Sequence, residues 1–209
     1  MWFFKTQRPR CPEMLPVLCG LFFNYGGKMK YYKKITLKDG RECVLKNGDE
    51  ADGKAGADIF NLTHGETDFL LTYPEEGLMS TKDESEFLKE KTESENEIEI
   101  LAFVDGRIAG TAGFEAVGSK EKLRHRAEFG VSVAKEFWGL GIGKELLNSC
   151  IECARKAGFV QLELSVIAEN ERAIAMYKKA GFKEYGRNPK GFKKRPDGFQ
   201  ELAYMFLEL

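Results

Sequence analysis

Glycines cluster at one point of the chain, between a predicted strand and a predicted helix. Residues 138–143 read WGLGIG; they follow the strand 131–133 and precede a helix predicted to start at Lys144. Backbone N–H groups at a helix start are unpaired and attract anions, and glycine lets the backbone approach a phosphate without a clash at Cβ. The pattern therefore predicts a ligand that carries phosphate.

Two common phosphate-binding motifs do not fit this cluster. A P-loop needs a glycine five residues before Gly143, where Trp138 stands, and Ser or Thr after Lys144, where Glu145 stands. A dinucleotide fingerprint counted from Gly139 or Gly141 would place its third glycine on Lys144 or Leu146. A glycine-rich turn without a ligand stays open at this point, because so short a motif also matches unrelated turns.

A second pattern follows on the next predicted strand and helix. Asn170, Ala173, Tyr177 and the pair 181–182 have the spacing Asn-x-x-Ala-x-x-x-Tyr-x-x-x-Gly-Phe. With the glycine cluster, this pattern makes residues 97–209 resemble the GNAT superfamily of GCN5-related N-acetyltransferases, whose pyrophosphate loop reads Gln/Arg-x-x-Gly-x-Gly/Ala. Trp138 stands in place of the family's Gln or Arg, whereas the glycines, whose roles belong to the backbone, are kept.

The resemblance implies that the ligand is acetyl-CoA. The strand, the glycine loop and the helix would hold its pantetheine arm and its pyrophosphate, and Asn170 would contact the arm or order the start of its helix. The implied cofactor-binding residues are Val131, Val133, Trp138, Gly139, Gly141, Ile142, Gly143, Lys144, Asn170, Ala173 and Tyr177.

In this family an amine attacks the thioester directly, so the protein supplies positioning and electrostatics. The resemblance makes the Val133 N–H an oxyanion donor and Tyr177 the general acid that protonates the departing thiolate. Glu128 on the same predicted strand is the candidate base, directly or through water; an exposed carboxylate or an ion pair with Arg126 is the alternative. The amine pocket is expected to be shaped by residues in the family's acceptor region: Glu66, Phe69 and Tyr73.

The elements around these residues predict an α/β fold. Asp39-Gly40 and Asp105-Gly106 separate alternating segments and predict two hairpins. The whole order predicts a GNAT-like mixed, mostly antiparallel twisted sheet with helices on both faces. Residues 47–56 are expected to form a polar loop, and the later elements are predicted as helices at 57–63, 80–95, 144–156 and from 170, and strands at 123–134, 160–166, 182–187 and 200–208.

Composition excludes several other classes of protein. The chain has 209 residues and a net charge of -1, so no basic surface for nucleic acid or anionic membrane is expected. No apolar run reaches the roughly 18 residues of a membrane span. The five cysteines are odd in number, which argues against a disulfide scaffold and favours the cytoplasm. Cys150 and Cys153 are expected to pack in the middle of a helix, and we expect no metal site.

The first 28 residues differ from the rest of the chain. Basic residues precede an apolar run at 14–23, which resembles a signal peptide but contains Pro16 and no convincing cleavage site. We expect residues 1–28 to be a non-native or disordered extension that precedes a physiological start at Met29. Residues 29–209 would then form one N-acyltransferase domain.

The sequence thus favours an enzyme that moves an acetyl or other acyl group from CoA to a primary amine of a small molecule or a peptide. A noncatalytic acyl-CoA-binding sensor is the main alternative, and a nucleotide-binding enzyme is a second. Family members often pair, so a homodimer is also expected from the resemblance. Fold alone does not choose the acceptor.

Overall fold

A computed structural model of the chain describes residues 20–23 and 27–209. The described residues form one nine-stranded sheet with the strand order β1-β2-β3-β4-β5-β6-β7-β9-β8. Every neighbouring pair is antiparallel except β6 and β7. The elements in chain order are β1 Gly20–Phe23, β2 Met29–Thr36, β3 Glu42–Asn47, α1 Gly53–Glu66, α2 Thr81–Glu93, β4 Ile98–Val104, β5 Arg107–Ala116, β6 Arg126–Val133, α3 Ile142–Lys156, β7 Gln161–Ile167, α4 Glu171–Lys179, β8 Lys183–Lys193 and β9 Phe199–Glu208.

Two neighbouring residues of β5 show that α2 and α3 lie on opposite faces of the sheet. Glu115 forms an ion pair with Lys91 of α2 at 2.9 Å. Phe114 instead packs edge-on against Phe159, just after α3, with 5.8 Å between ring centroids. Successive side chains of a strand point to opposite faces, so the two helices cover different sides.

The other two helices complete the two layers. Tyr177 of α4 packs edge-on against Phe129, which lies directly opposite Phe114 in the sheet, so α4 shares the face of α3. Helix α1 packs closely on α2 through its glycines, as described below. The mixed, mostly antiparallel sheet with helices on both faces confirms the predicted fold class.

Helix α1 starts earlier than expected, so the prediction of a loop at residues 47–56 was wrong over its last four positions. A side chain at Gly53 would overlap Ser85 of α2, and one at Gly56 would come within 2.7 Å of the Glu84 carboxylate. Glycine is a poor helix former. Here close packing between the two helices outweighs that preference. The helix also continues past its predicted end at residue 63, through Gly65 to Glu66.

Other predicted boundaries shift by a few residues. Strand β6 begins at Arg126 rather than at residue 123, α3 begins at Ile142 rather than at Lys144, and β8 extends to Lys193. Both predicted hairpins are confirmed. Their turn residues have the positive φ that tight hairpin turns require: 89° at Gly40, and 50° and 76° at residues 105 and 106.

The predicted extension at residues 1–28 lies mostly outside the described residues. Within it, Gly20–Phe23 pairs as an antiparallel strand with β2. Among residues 20–23 and 27–209, no helix combines the length and the apolar character needed to cross a bilayer.

Candidate active site

The site begins where the two parallel strands of the sheet separate. Strands β6 and β7 pair at only three positions, the last of which joins Glu128 and Glu163. Beyond this pair, β6 stays with β5 up to Val133 and β7 stays with β9 up to Ile167. The strands therefore form a fork, with a gap between them that is lined by backbone.

The glycine loop closes one end of this fork. Gly139 and Gly141 have φ values of 86° and 103°, in the left-handed region where a side chain is strained. No protein atom lies within 4 Å of a Cβ built on either residue. Gly143 is already inside α3 and has an ordinary backbone conformation. The first two glycines are thus required by the turn, and they leave open space in front of the helix start.

The end of β6 presents backbone groups to the gap. The Ala134 N–H donates to the Ala109 carbonyl of the neighbouring segment at 2.9 Å. Because alternate strand residues direct their backbone groups to opposite neighbours, those of Val133 face away from β5 and toward the gap. The Val133 carbonyl accepts a hydrogen bond from Trp138 Nε1 at 2.6 Å. Trp138, the residue that departs from the family motif, therefore links the glycine loop to the end of β6 through this hydrogen bond.

A single large cavity of about 850 Å³ runs from the glycine loop through the fork. This volume lies in the range of about 300–1,000 Å³ that is usual for small-molecule sites. The cavity brings together all residues that were predicted to bind the cofactor: Val131, Val133, Trp138, Gly139, Gly141, Ile142, Gly143, Lys144, Asn170, Ala173 and Tyr177.

The start of α4 forms another wall of the cavity. Asn170 caps this helix, and its side chain accepts a hydrogen bond from the Ala173 N–H at 3.2 Å. Tyr177, two turns later, is held between Phe129 and Phe182. Burial raises the pKa of the Tyr177 hydroxyl above its usual range. A tyrosine hydroxyl is protonated at neutral pH with or without this shift, so Tyr177 carries a proton on the wall of the cavity.

Three basic side chains line the cavity near the glycine loop: Lys38, Lys144 and Arg172. Arg172 lies over the Trp138 ring, 5.1 Å from its centroid, at the distance of a cation–π contact. Sequence reasoning missed Arg172 and Lys38. Arg172 falls inside the Asn170 motif, which could have drawn attention to it, whereas nothing near Lys38 distinguishes it from other hairpin lysines.

The part of the cavity lined by the segment after α1 and by β8 and β9 is mostly apolar. Glu66 and Phe69, two of the three residues predicted for the amine pocket, line it. The Lys135 N–H donates to Glu66 at 2.7 Å and holds this carboxylate at the end of β6. The remaining apolar lining here comes from residues that were not predicted: Leu70, Leu71, Phe192 and Leu202.

Tyr73, the third residue predicted for that pocket, lies outside the lining of this cavity. Its ring stacks on the Arg195 guanidinium at 4.0 Å, and its hydroxyl accepts a hydrogen bond from the Arg195 N–H at 3.1 Å. Nearby, the Gln200 side chain donates to the Asp68 carbonyl at 3.2 Å. Tyr73 thus joins the segment between α1 and α2 to the β8–β9 hairpin.

Glu128, the predicted base, stands exposed at the point where the fork opens, and it also lies outside the cavity lining. The nearest lining residue of its own strand on the same face is Gly130, two positions along. Arg126 pairs with Glu163 rather than with Glu128, through a hydrogen bond of 2.6 Å. This pairing lowers the pKa of Glu163, and it removes Arg126 as the partner considered for Glu128.

The paired cysteines of α3 face the core. Cys150 and Cys153 are both buried, and burial raises the pKa of both thiols above the usual range. The structure therefore assigns them to packing. Within residues 27–209, no group of His, Cys, Asp and Glu side chains is arranged to hold a metal ion.

Comparison with known proteins connects this geometry to one family. The family model described as the acetyltransferase (GNAT) family matches residues 58–182, more than half of the chain. The L-amino acid N-acetyltransferase AaaT of Escherichia coli is 30% identical over 108 residues, which cover 51% of this chain and 65% of that protein. The N-alpha-acetyltransferase RimI of Mycobacterium tuberculosis is 32% identical over 81 residues, covering 39% of this chain and 49% of that protein. The matched part is thus under two thirds of each of these curated relatives.

Solved structures agree over a longer stretch. An acetyltransferase of the GNAT family from Streptococcus pneumoniae superposes with a TM-score of 0.77 and 27% identity, covering 80% of this chain and 99% of that one. The yncA protein of Salmonella typhimurium, solved with its cofactor acetyl-CoA, superposes with a TM-score of 0.72 at 22% identity, covering 80% and 94%. The second similarity bears on the fold alone.

Proposed function

Because the chain belongs to the acetyltransferase (GNAT) family, we propose that it transfers an acetyl group from acetyl-CoA to a primary amine by direct attack on the thioester. Acetyl-CoA is the acetyl donor of GNAT enzymes. The observation that carries the proposal is the single cavity, which joins an anion-attracting helix start to the fork between β6 and β7.

The residues around the cavity fit acetyl-CoA. The N–H groups at the start of α3, with Gly139 and Gly141 leaving open space before them, suit a pyrophosphate. Lys38, Lys144 and Arg172 add positive charge at the same end. The gap between the strands offers backbone donors to a pantetheine arm. When bound, acetyl-CoA supplies an acyl group that is already activated as a thioester.

The protein's own contribution is to stabilise charge and to move protons. The Val133 N–H, which faces the gap, would donate to the oxygen that becomes negative during attack. Tyr177, which is protonated at neutral pH, would give its proton to the departing sulfur. The exposed carboxylate of Glu128 at the opening of the fork is a candidate proton acceptor that would work through water.

We further propose that the acceptor is an α-amino group next to an apolar side chain. One part of the cavity is lined by Phe69, Leu70, Leu71, Phe192 and Leu202, and this apolar lining suits an apolar side chain better than a polyamine. The names of the E. coli and M. tuberculosis relatives refer to an L-amino acid and to an N-alpha position. Both describe an α-amino group, in a free amino acid or at a chain terminus.

Calorimetric titration with acetyl-CoA, with ATP and NAD as controls, tests the ligand first. Selective binding of acetyl-CoA is the expected outcome; binding of a nucleotide that competes with CoA would assign the cavity to a nucleotide instead. Release of free CoA thiol is then followed with L-phenylalanine, L-methionine, a peptide with an N-terminal alanine, and spermidine. We expect turnover with the first three, and turnover with spermidine alone would contradict the proposed acceptor class.

The noncatalytic alternative predicts binding without thiol release for every amine of the panel. A homodimer also stays a proposal, supported by the resemblance alone, and sedimentation equilibrium of the purified chain with and without acetyl-CoA tests it. A monomer that turns over at the same specific rate at all protein concentrations would remove the need for a second copy.

A further inference from the structure

One carboxylate under the α1–α2 layer has no role in the function proposed above. Glu99 lies on β4, half-buried, directly opposite Gly113 of β5. A Cβ on Gly113 would overlap the Glu99 carboxylate, so the absence of a side chain there lets Glu99 lie flat across the neighbouring strand. Within residues 27–209, Glu99 forms no ion pair within 4.0 Å.

Two hydroxyl groups continue from Glu99 to the cavity. Thr111 lies on the same face of β5, two positions from Gly113, with its hydroxyl close enough to the Glu99 carboxylate to favour the charged form. Ser132 is the direct cross-strand neighbour of Thr111 on β6, and the two hydroxyl oxygens are 3.5 Å apart. Ser132 lines the cavity between Val131 and Val133. The register of three strands therefore places a half-buried carboxylate and two hydroxyl groups in one row that leads to the fork.

The surroundings of Glu99 make its carboxylate a stronger base than an ordinary glutamate, one that is mostly ionised only above about pH 8. Loss of solvent is the largest influence and raises the pKa of Glu99 to about 8; the negative charges of Glu84 on α2 and Glu115 on β5 act in the same direction. The hydrogen bond from Thr111 and the charge of Lys91 on α2 oppose this rise. Lys91 is already shared between other carboxylates, at 2.7 and 2.9 Å.

We propose that Glu99, acting through Thr111 and Ser132, takes up the proton that the acceptor amine loses during acetyl transfer. The amine N–H bond breaks as Ser132 Oγ accepts the proton; Ser132 passes its own proton to Thr111 Oγ1, and Thr111 passes its own to the carboxylate, which becomes a neutral acid. The same row returns the proton to solvent when the product leaves. Glu99 is a positioning residue that acts through two hydroxyl groups, and the proposal rests on the acetyltransferase function proposed above.

The rate test compares wild type with Glu99→Gln from pH 6 to pH 10, at saturating acetyl-CoA and L-phenylalanine. Ionisation of the amine affects both enzymes equally, so the ratio of their kcat values isolates Glu99. We expect this ratio to rise about tenfold per pH unit up to about pH 8 and then to level off at about 100-fold, the lower end of general-base effects. A ratio that does not change with pH would overturn the proposal.

Matched variants separate the relay from general damage to the fold. Thr111→Val keeps the shape of the side chain but interrupts the row, and it should lose activity about as much as Glu99→Gln; Thr111→Ser should restore the activity and its pH dependence. Ser149→Ala removes a buried hydroxyl on α3 that donates only to the Glu145 carbonyl, and it should leave kcat unchanged. Full activity of Thr111→Val would overturn the proposal.

A second readout does not depend on turnover. Carbon-13 NMR of glutamate labelled at the carboxyl carbon, with one resonance assigned by its loss in Glu99→Gln, follows the titration of Glu99 in the free protein. We expect a midpoint near pH 8 that moves upward in Thr111→Val; a midpoint near pH 4 would overturn the relay. If wild type binds acetyl-CoA but acetylates no amine, the proposed function fails while this titration still decides whether the row exists. If the rise of kcat with pH disappears in Glu128→Gln but persists in Glu99→Gln, Glu128 and not Glu99 accepts the proton.

Discussion

Replacement of single glycines in the loop by alanine should show whether affinity for acetyl-CoA depends on the strained backbone conformation or on the space that an added Cβ would fill. At Gly141 φ is 103°, and an L-residue in the left-handed region costs about 1–2 kcal/mol. If the loop leaves this conformation to relieve the strain, the binding-competent fraction falls, so affinity for acetyl-CoA should drop about 5–30-fold. At Gly143 the backbone is helical, and a Cβ would meet Met176 and Val133 at 3.7 Å, an ordinary contact. Gly143→Ala should therefore bind acetyl-CoA like wild type.

The assay is calorimetric titration with acetyl-CoA, together with urea unfolding of each free variant. Gly106→Ala is the matched control, because φ is 76° in a hairpin turn that does not line the cavity. It should lose about 1–2 kcal/mol of unfolding free energy with unchanged affinity. If Gly143→Ala weakened binding as much as Gly141→Ala, or if Gly141→Ala matched wild type in both measurements, backbone strain at Gly141 would not be what controls affinity for acetyl-CoA.

Three further substitutions test other parts of the site and of the fold. Tyr177→Phe should lower kcat by about 100-fold while calorimetry shows unchanged affinity for acetyl-CoA; an equal loss of affinity would make Tyr177 a packing residue. Trp138→Phe removes the hydrogen bond to the Val133 carbonyl, worth about 0.5–1.5 kcal/mol, and should weaken acetyl-CoA binding by roughly 2–10-fold; unchanged affinity would show that the bond does not order the loop. Arg126→Gln should lower the unfolding free energy by about 1–3 kcal/mol at pH 7. Because Arg126 lowers the pKa of Glu163 below its usual 4.5, the carboxylate favours folding above that pH, and the difference between the two proteins should shrink as urea melts are repeated from pH 4.5 downward; a difference that persists at the lowest pH would mean that packing, not charge, is lost.

Many features of the site could be read from the sequence because their signals are local. Gly139 and Gly141 are needed for a turn that only glycine adopts freely, and Asn170 caps the helix that it precedes. Asp105-Gly106 similarly predicts its own hairpin. In each case the residue and its structural partner lie within a few positions of each other, so that short-range geometry determines the outcome.

Local reasoning failed where packing between distant segments decided the structure. Gly53 and Gly56 look like loop residues, yet they lie in α1 because α2 approaches closely. Tyr73 was expected near the amine pocket from the resemblance alone, and its stacking on Arg195, 122 positions away, could not be read from its neighbours in sequence. The helix propensity of a residue does not indicate such packing, because the packing partner comes from another part of the chain.

The sequence by itself thus determined the family, the fold class and the two helix starts that line one side of the cavity, since two motifs encode these helix starts. Only the tertiary structure decided what the strands bring to the other side. Glu99, Thr111 and Ser132 form a row because antiparallel register sets them opposite one another, and Glu128 stands at the opening of the fork because β6 and β7 part after three pairs. Register and strand separation arise from the packing of the whole sheet, and a shift of one residue would turn each of these side chains to the other face.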